Sequence, residues 1–146
     1  MSAQGPITTA ALERVSVVVL FRGTSTEREV SLVSGREVER ALCAGRLLRA
    51  VRAVEIDARG RWLVDGRALA PEQALAALAD VDVFFIGLHG GAGEDGTLQG
   101  LLESCSLRYT GSGVRASALC MDKQALRATA AAAGLRVAPA VAFPAS

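Results

Sequence analysis

The sequence predicts an α/β fold: a doubly wound, mainly parallel open sheet with helices on both faces. Three observations carry this. Val15-Ser16-Val17-Val18-Val19-Leu20-Phe21 and Asp82-Val83-Phe84-Phe85-Ile86-Gly87-Leu88 are near-continuous apolar runs, as expected of strands covered on both faces. Each run gives way to a turn of glycine and small polar residues and then to a helix pattern, and such alternation builds parallel sheets. The chain has 146 residues, half of them apolar, which suits one domain with a real core.

The elements follow in order. Residues 1–13 lack periodicity and read as a flexible leader. Arg22-Gly23-Thr24-Ser25 turns the chain out of the first strand into a helix from about Thr26 to Ala44. Its apolar side is expected to be Val30, Val33, Val38, Ala41 and Leu42, with Gly45 closing it. Thr24 or Ser25 can cap this helix, and Thr24 with Glu27 has capping-box spacing. Val51 to Ile56 is a second strand, and Arg61 to Gly66 a short strand and turn, Asp65-Gly66 favouring a tight reversal. Pro71 suits the first position of a helix reaching about Ala79. The apolar run 82–88 then leads into the loop His89-Gly90-Gly91-Ala92-Gly93-Glu94-Asp95-Gly96. A helix from Thr97 to Cys105, a short strand around 107–110 and a turn at Gly111-Ser112-Gly113 come next. Asp122 to Ala133 is a helix stopped by Gly134, and Val137 to Phe143 a last strand.

Composition removes several function classes. Lys and Arg number 16 against 15 Asp and Glu, so no basic face is available for a nucleic-acid partner. No run approaches the ~18 apolar residues of a membrane span, and the start shows no charged and apolar signal-peptide pattern. Cys43, Cys105 and Cys120 are odd in number and widely spaced. They read as buried thiols of a reduced, cytoplasmic protein, and no metal site is expected.

In open α/β sheets ligands sit beyond the carboxyl ends of the strands. Three loops leave strands at that rim: Arg22 to Glu27, His89 to Gly96, and Gly111 to Val114. The first two carry Glu27 and His89, the only histidine, and parallel strands would bring both to one crevice. Gly91 to Gly96 spells G-x-G-x-x-G, a dinucleotide-binding pattern. Glu94 and Asp95, however, put two negative charges where a pyrophosphate would rest, and the fingerprint belongs in the first strand–helix turn. That reading is set aside. Glu27 remains open between a helix-dipole acid and a cleft carboxylate, His89 between a core histidine and a site residue, and Lys123 between a solvated charge and a site cation.

Taken together, these segments resemble the D-alanine–D-alanine ligases. Arg22-Gly23-Thr24-Ser25-Thr26-Glu27-Arg28-Glu29-Val30-Ser31-Leu32 is similar to that family's first motif, and Leu88 to Gly100 to its second. Tyr109 to Val114, with Ser117-Ala118-Leu119 and Met121-Asp122-Lys123, is similar to its third. The resemblance implies a Rossmann-like domain preceding an ATP-grasp region: a substrate domain over 14–120, with 121–146 beginning the central region. It implies an ATP- and Mg²⁺-dependent ligase whose product feeds peptidoglycan synthesis. Glu27 and His89 are then the catalytic-pocket residues, Glu27 holding the ammonium of the first D-alanine. Gly23, Ser25, Ser31, Gly90 and Gly91 would line the substrate, with Ser34 and Ser112 behind them, and Lys123 would stand near the nucleotide. A homodimer is the partner state implied. The family's phosphate-binding lysines, magnesium carboxylates and catalytic arginine are expected beyond Ser146, so these residues alone are expected to be inactive. Arg22, where the family usually has glycine, predicts a long cation beside the cleft. The competing classes are a non-catalytic small-molecule-binding module and an oligomerisation module derived from the same fold.

Overall fold

The computed structural model describes residues 8–141 and 143. Most of the predicted leader, residues 1–7, lies outside them. The remainder contains α1 (Thr9–Leu12), one helical turn whose N-cap Thr8 accepts the Ala11 N–H through Oγ1 at 3.3 Å.

The sheet is built around β1 (Ser16–Arg22). β2 (Ala50–Ile56) lies parallel on one side and β5 (Val83–Ile86) parallel on the other, so β1 is central. Beyond β2, β3 (Trp62–Val64) and β4 (Arg67–Leu69) form an antiparallel hairpin, giving the order β4-β3-β2-β1-β5. The Asp-Gly reversal between them has φ of 48° at Asp65 and 79° at Gly66, as the twist-matched two-residue turn demands. The sheet is thus mixed, with a parallel centre and an antiparallel edge. The strand expected at 107–110 shrinks to a parallel bridge, Phe84 with Tyr109, extending the sheet past β5.

β1 explains why its run is continuous. Val17, Val19 and Phe21 face one layer, where Leu32, Val38 and Leu42 of α2 (Arg28–Gly45) pack on them. Val18 and Leu20 face the other, with Trp62, Phe84, and residues of α3 (Pro71–Ala77) and α4 (Thr97–Ser104). Period-two alternation places successive side chains in different cores, and both cores here are apolar.

α2 departs from its predicted face. Val30 and Val33 are 57% and 66% exposed, while Ser31 and Gly35 are buried. The reason is close approach: a Cβ on Gly35 would fall inside van der Waals contact of the Phe21 side chain. Ser31 and Gly35 therefore take the closest part of the seam in place of Val30 and Val33, while Val38 and Leu42 pack on β1 as expected and Ala41 is exposed. Nor does a capping box form, since Glu27 is the N-cap residue and makes no side-chain cap bond. Gly45 ends the helix without closing it; Arg46 takes the left-handed turn with φ 48°.

Two corrections concern the later residues. α5 (Val114–Met121) fills a stretch given no helix from the sequence, because Gly113 offers no capping side chain and the segment follows a glycine turn. α6 (Lys123–Ala132) forms as expected behind Asp122, but residues 137–141 and 143 make no strand. The cysteines are corrected as well. Cys43, Cys105 and Cys120 are exposed thiols; Cys43, for instance, lies off the 31, 35, 38, 42 stripe that α2 buries.

Candidate functional site

Three chain crossings converge at the carboxyl rim of β1 and β5, and hydroxyl groups tie them together. Ser31, fully buried on α2, accepts the Arg22 N–H and donates to the Gly87 carbonyl, each at 2.7 Å. It thereby clamps the end of β1 to the end of β5. Ser25 donates to the His89 carbonyl at 2.5 Å and accepts the Glu27 N–H at 3.1 Å. Ser34, one turn beyond Ser31, meets His89 Nε2 at 2.9 Å. A short helix-side row of serines thus fixes the glycine loop against α2.

The loop approaches so closely because it carries no side chain there. Gly90 has φ 67° and ψ 168°, a region essentially restricted to glycine. A Cβ on it would lie 3.2 Å from Glu27 Oε1 and 3.3 Å from Ser25 Oγ. The Glu27 carboxylate therefore rests against the residue next to His89. Glu27 itself is exposed at the rim, whereas His89 lines the adjoining cleft.

That cleft has a volume of about 190 Å³. Arg22, Gly23, Thr24, Ser25, His89 and Gly90 form its mouth, and Ile56, Trp62, Leu98 and Leu101 its apolar floor. Gly91 is exposed and outside the lining. The floor residues were not singled out from the sequence, although Trp62 beside the Asp-Gly turn was a usable signal. Gln99 was also missed. Buried to 5% exposure, it donates from Nε2 to the Gly93 carbonyl at 2.9 Å and so pins the loop from below.

Of the loop's two acids, Asp95 bears on the charge argument. Asp95 Oδ1 accepts the Thr97 N–H at 2.9 Å at the start of α4, so a carboxylate already occupies the helix terminus a pyrophosphate would need. Arg22 differs from expectation in what it presents. Its guanidinium is drawn toward Glu55 at 3.1 Å and Glu29 at 4.0 Å, and its backbone sits at φ 78°. The cation lines the mouth already paired.

Other sequence candidates lie apart. Ser112 borders a second cavity with Gln99 and Ser117, and its carbonyl accepts the Ser117 hydroxyl at 3.2 Å. Lys123 is exposed at the start of α6. Among the described residues no group of three His, Cys, Asp or Glu side chains could hold a metal ion, and no helix is long and apolar enough to cross a membrane.

Known proteins share this sequence and fold. Residues 66–112 match the family model described as D-ala D-ala ligase N-terminus. The D-alanine–D-alanine ligase of Citrifermentans bemidjiense is 47% identical over 133 residues, covering 91% of this chain and 39% of the relative. That of Dechloromonas aromatica is 49% identical over 122 residues, covering 83% and 35%. Among solved structures, the Aeromonas hydrophila D-alanine–D-alanine ligase superposes with a TM-score of 0.70 at 30% identity, covering 88% of this chain and 50% of that one. The chain spans about two-fifths of the curated relatives' length.

Proposed function

Because the chain carries the N-terminal domain of the D-alanine–D-alanine ligase family, we propose that its rim cleft is the part of a D-alanine–D-alanine ligase that receives the first D-alanine. The observation that supports this most is the Glu27 carboxylate lying against Gly90, beside His89, at the carboxyl rim of parallel strands. A carboxylate there suits an ammonium group, since a charge-assisted hydrogen bond is stronger than a neutral one. Ser25, Gly23 and Gly90 shape the approach, Gly91 stands at its outer edge, and Ser31 holds the two strand ends in register. Positioning of this kind is what joining two small substrates chiefly requires.

ATP and Mg²⁺ would supply the activated acyl phosphate. The described residues do not fit a Mg²⁺ site, having no cluster of ligating side chains, so the metal is assigned to the family's central region. Lys123 is the residue we assign to the nucleotide side, with 14–120 the substrate domain and 121–146 the beginning of the central region. The dipeptide product would serve peptidoglycan, and a reaction that draws on ATP would run in the cytoplasm. Two copies would pair as a homodimer.

The test uses the single histidine as a reporter. Titrating D-alanine into the ¹⁵N-labelled protein should shift the His89 ring and the Gly90 amide saturably, and Glu27→Gln should weaken that response at least about tenfold. Shifts that Glu27→Gln leaves unchanged, or no shifts at all, would overturn the reading. With ATP and Mg²⁺ added, these 146 residues should release no ADP; clear turnover would refute their inactivity.

A further inference from the structure

The histidine ring raises a question that its position alone does not answer: which nitrogen carries the proton. Ser34 Oγ stands 2.9 Å from His89 Nε2, 3.0 Å from the Val30 carbonyl and 3.3 Å from the Ser31 carbonyl. A hydroxyl has one proton and two lone pairs. If His89 carried its proton on Nδ1, Ser34 would spend its own proton on Nε2, and ring and hydroxyl together would make a single protein bond. With the proton on Nε2, the ring donates to Ser34 and Ser34 donates onward to the Val30 carbonyl, which makes two. A histidine tautomer is assigned from such a network, and half-buried polar groups favour the arrangement that satisfies more of them.

We propose that Ser34 is a positioning residue that holds neutral His89 as its Nε2–H form, leaving Nδ1 as a hydrogen-bond acceptor for an N–H or O–H donor in the cleft. Three features of the site converge on this role. His89 lines the cleft, and its Nδ1 makes no hydrogen bond among the described residues. Its backbone is anchored separately, through Ser25 to the carbonyl. Ser34 therefore acts on the ring alone. It also shares the inward face of α2 with Ser31, three residues earlier, which keeps that helix fixed against β1 and β5. The donor that suits Nδ1 is an ammonium or hydroxyl of a small polar ligand. Its identification with D-alanine rests on the function proposed above; the tautomer assignment does not.

The experiment has two arms. In the ¹⁵N-labelled protein, at a pH where the ring is neutral, the one histidine should show a one-bond N–H correlation at Nε2, protected from exchange, and an unprotonated Nδ1. Ser34→Ala should abolish that protected correlation while leaving the backbone amide spectrum of the sheet in place, and Ser34→Thr, which keeps a hydroxyl, should restore it. A proton found on Nδ1, no protected Nε2–H in the unaltered protein, or a signal that survives Ser34→Ala would each overturn the proposal. In the second arm, Ser34→Ala should weaken D-alanine binding about fivefold, the size of one neutral hydrogen bond, with recovery in Ser34→Thr. Absence of D-alanine binding in the unaltered protein would count against the function proposed above, whereas the nitrogen spectra decide the role of Ser34 by themselves.

Discussion

Residues 16–112 and the helices of residues 113–132 are both regular structure, yet different forces hold them. Among the described residues the buried apolar side chains all lie between Val17 and Leu102, divided into two cores by the sheet. Beyond Leu102, Ser117 is the one buried residue among those described. α6 buries nothing, and Leu126, Leu135 and Val137 are 36%, 65% and 38% exposed. It is helical for local reasons: Asp122 Oδ1 accepts the Gln124 and Ala125 N–H groups, each at 3.0 Å, and an alanine-rich run follows. The difference bears on function. Glu27, His89 and their serine ties belong to the packed region, so tertiary structure fixes their geometry. Lys123 belongs to the other region, where no buried contact fixes its position.

The sharpest way to break this contrast is to spoil the seam between α2 and the sheet. Gly35→Ala would drive a methyl group into Phe21. Overpacking of this kind costs up to about 3 kcal/mol or more, against roughly 1 kcal/mol returned by alanine's better helix propensity. A net loss of about 2–3 kcal/mol should lower Tm by roughly 6–10 °C in a domain of this size. Thermal unfolding measures it, and an unchanged Tm would mean that α2 does not sit on Phe21 as described. His89 should also lose its Ser34 contact in this variant, because Gly35 and Ser34 are neighbours on the same helix.

How much of this was legible beforehand depended on the kind of force involved. The parallel centre was readable because Val17 to Phe21 is apolar on both faces, a pattern set by burial alone. The convergence of Glu27 and His89 at one rim followed from that topology. The buried stripe of α2 was readable only in its second half: Val38 and Leu42 pack as expected, whereas hydropathy ranks Val30 and Val33 above Ser31 and Gly35. Close backbone approach reversed the order: Gly35 makes room for Phe21, and Ser31 satisfies two backbone groups. The same limit hid Gln99, whose value lies in one bond to Gly93. The exposed cysteines were misread from an average tendency to burial, which says nothing about helix phase. α5 was passed over because its start lacks a capping side chain.

A smaller effect is expected at the opposite, amino rim of the packed region. Asp82 accepts the Ser16 N–H and the Ser16 hydroxyl, both at 2.8 Å, with Arg49 at 3.2 Å. The Ser16 N–H first, then its hydroxyl and the Arg49 charge, hold this carboxyl below its ordinary range, against an opposing effect of burial. A carboxyl whose folded value lies below its unfolded value of ~3.9 stabilises the fold above that pH. The contribution is lost as pH falls through the lower folded value, because the unfolded chain then binds more protons. Urea midpoints measured from neutral pH downward should therefore fall in acid, and Asp82→Asn should remove part of that fall while lowering the neutral plateau. Parallel profiles for the two proteins would show that Asp82 does not tie β1 to β5.

The smallest effect should come from the second region, and its smallness is the point. Leu126 is the apolar residue of α6 most open to a packing role, yet it is 36% exposed on a helix with no buried residue. Leu126→Ala removes a partly exposed side chain and replaces it with the best helix former, so the two contributions oppose each other. Unfolding free energy should change by less than about 0.5 kcal/mol, and the His89 ring signals should stay where they are. A loss as large as that of a core leucine, about 2–5 kcal/mol, would place α6 inside the cooperative unit. Lys123 would then be held as firmly as Glu27, and the division between the two regions would fail.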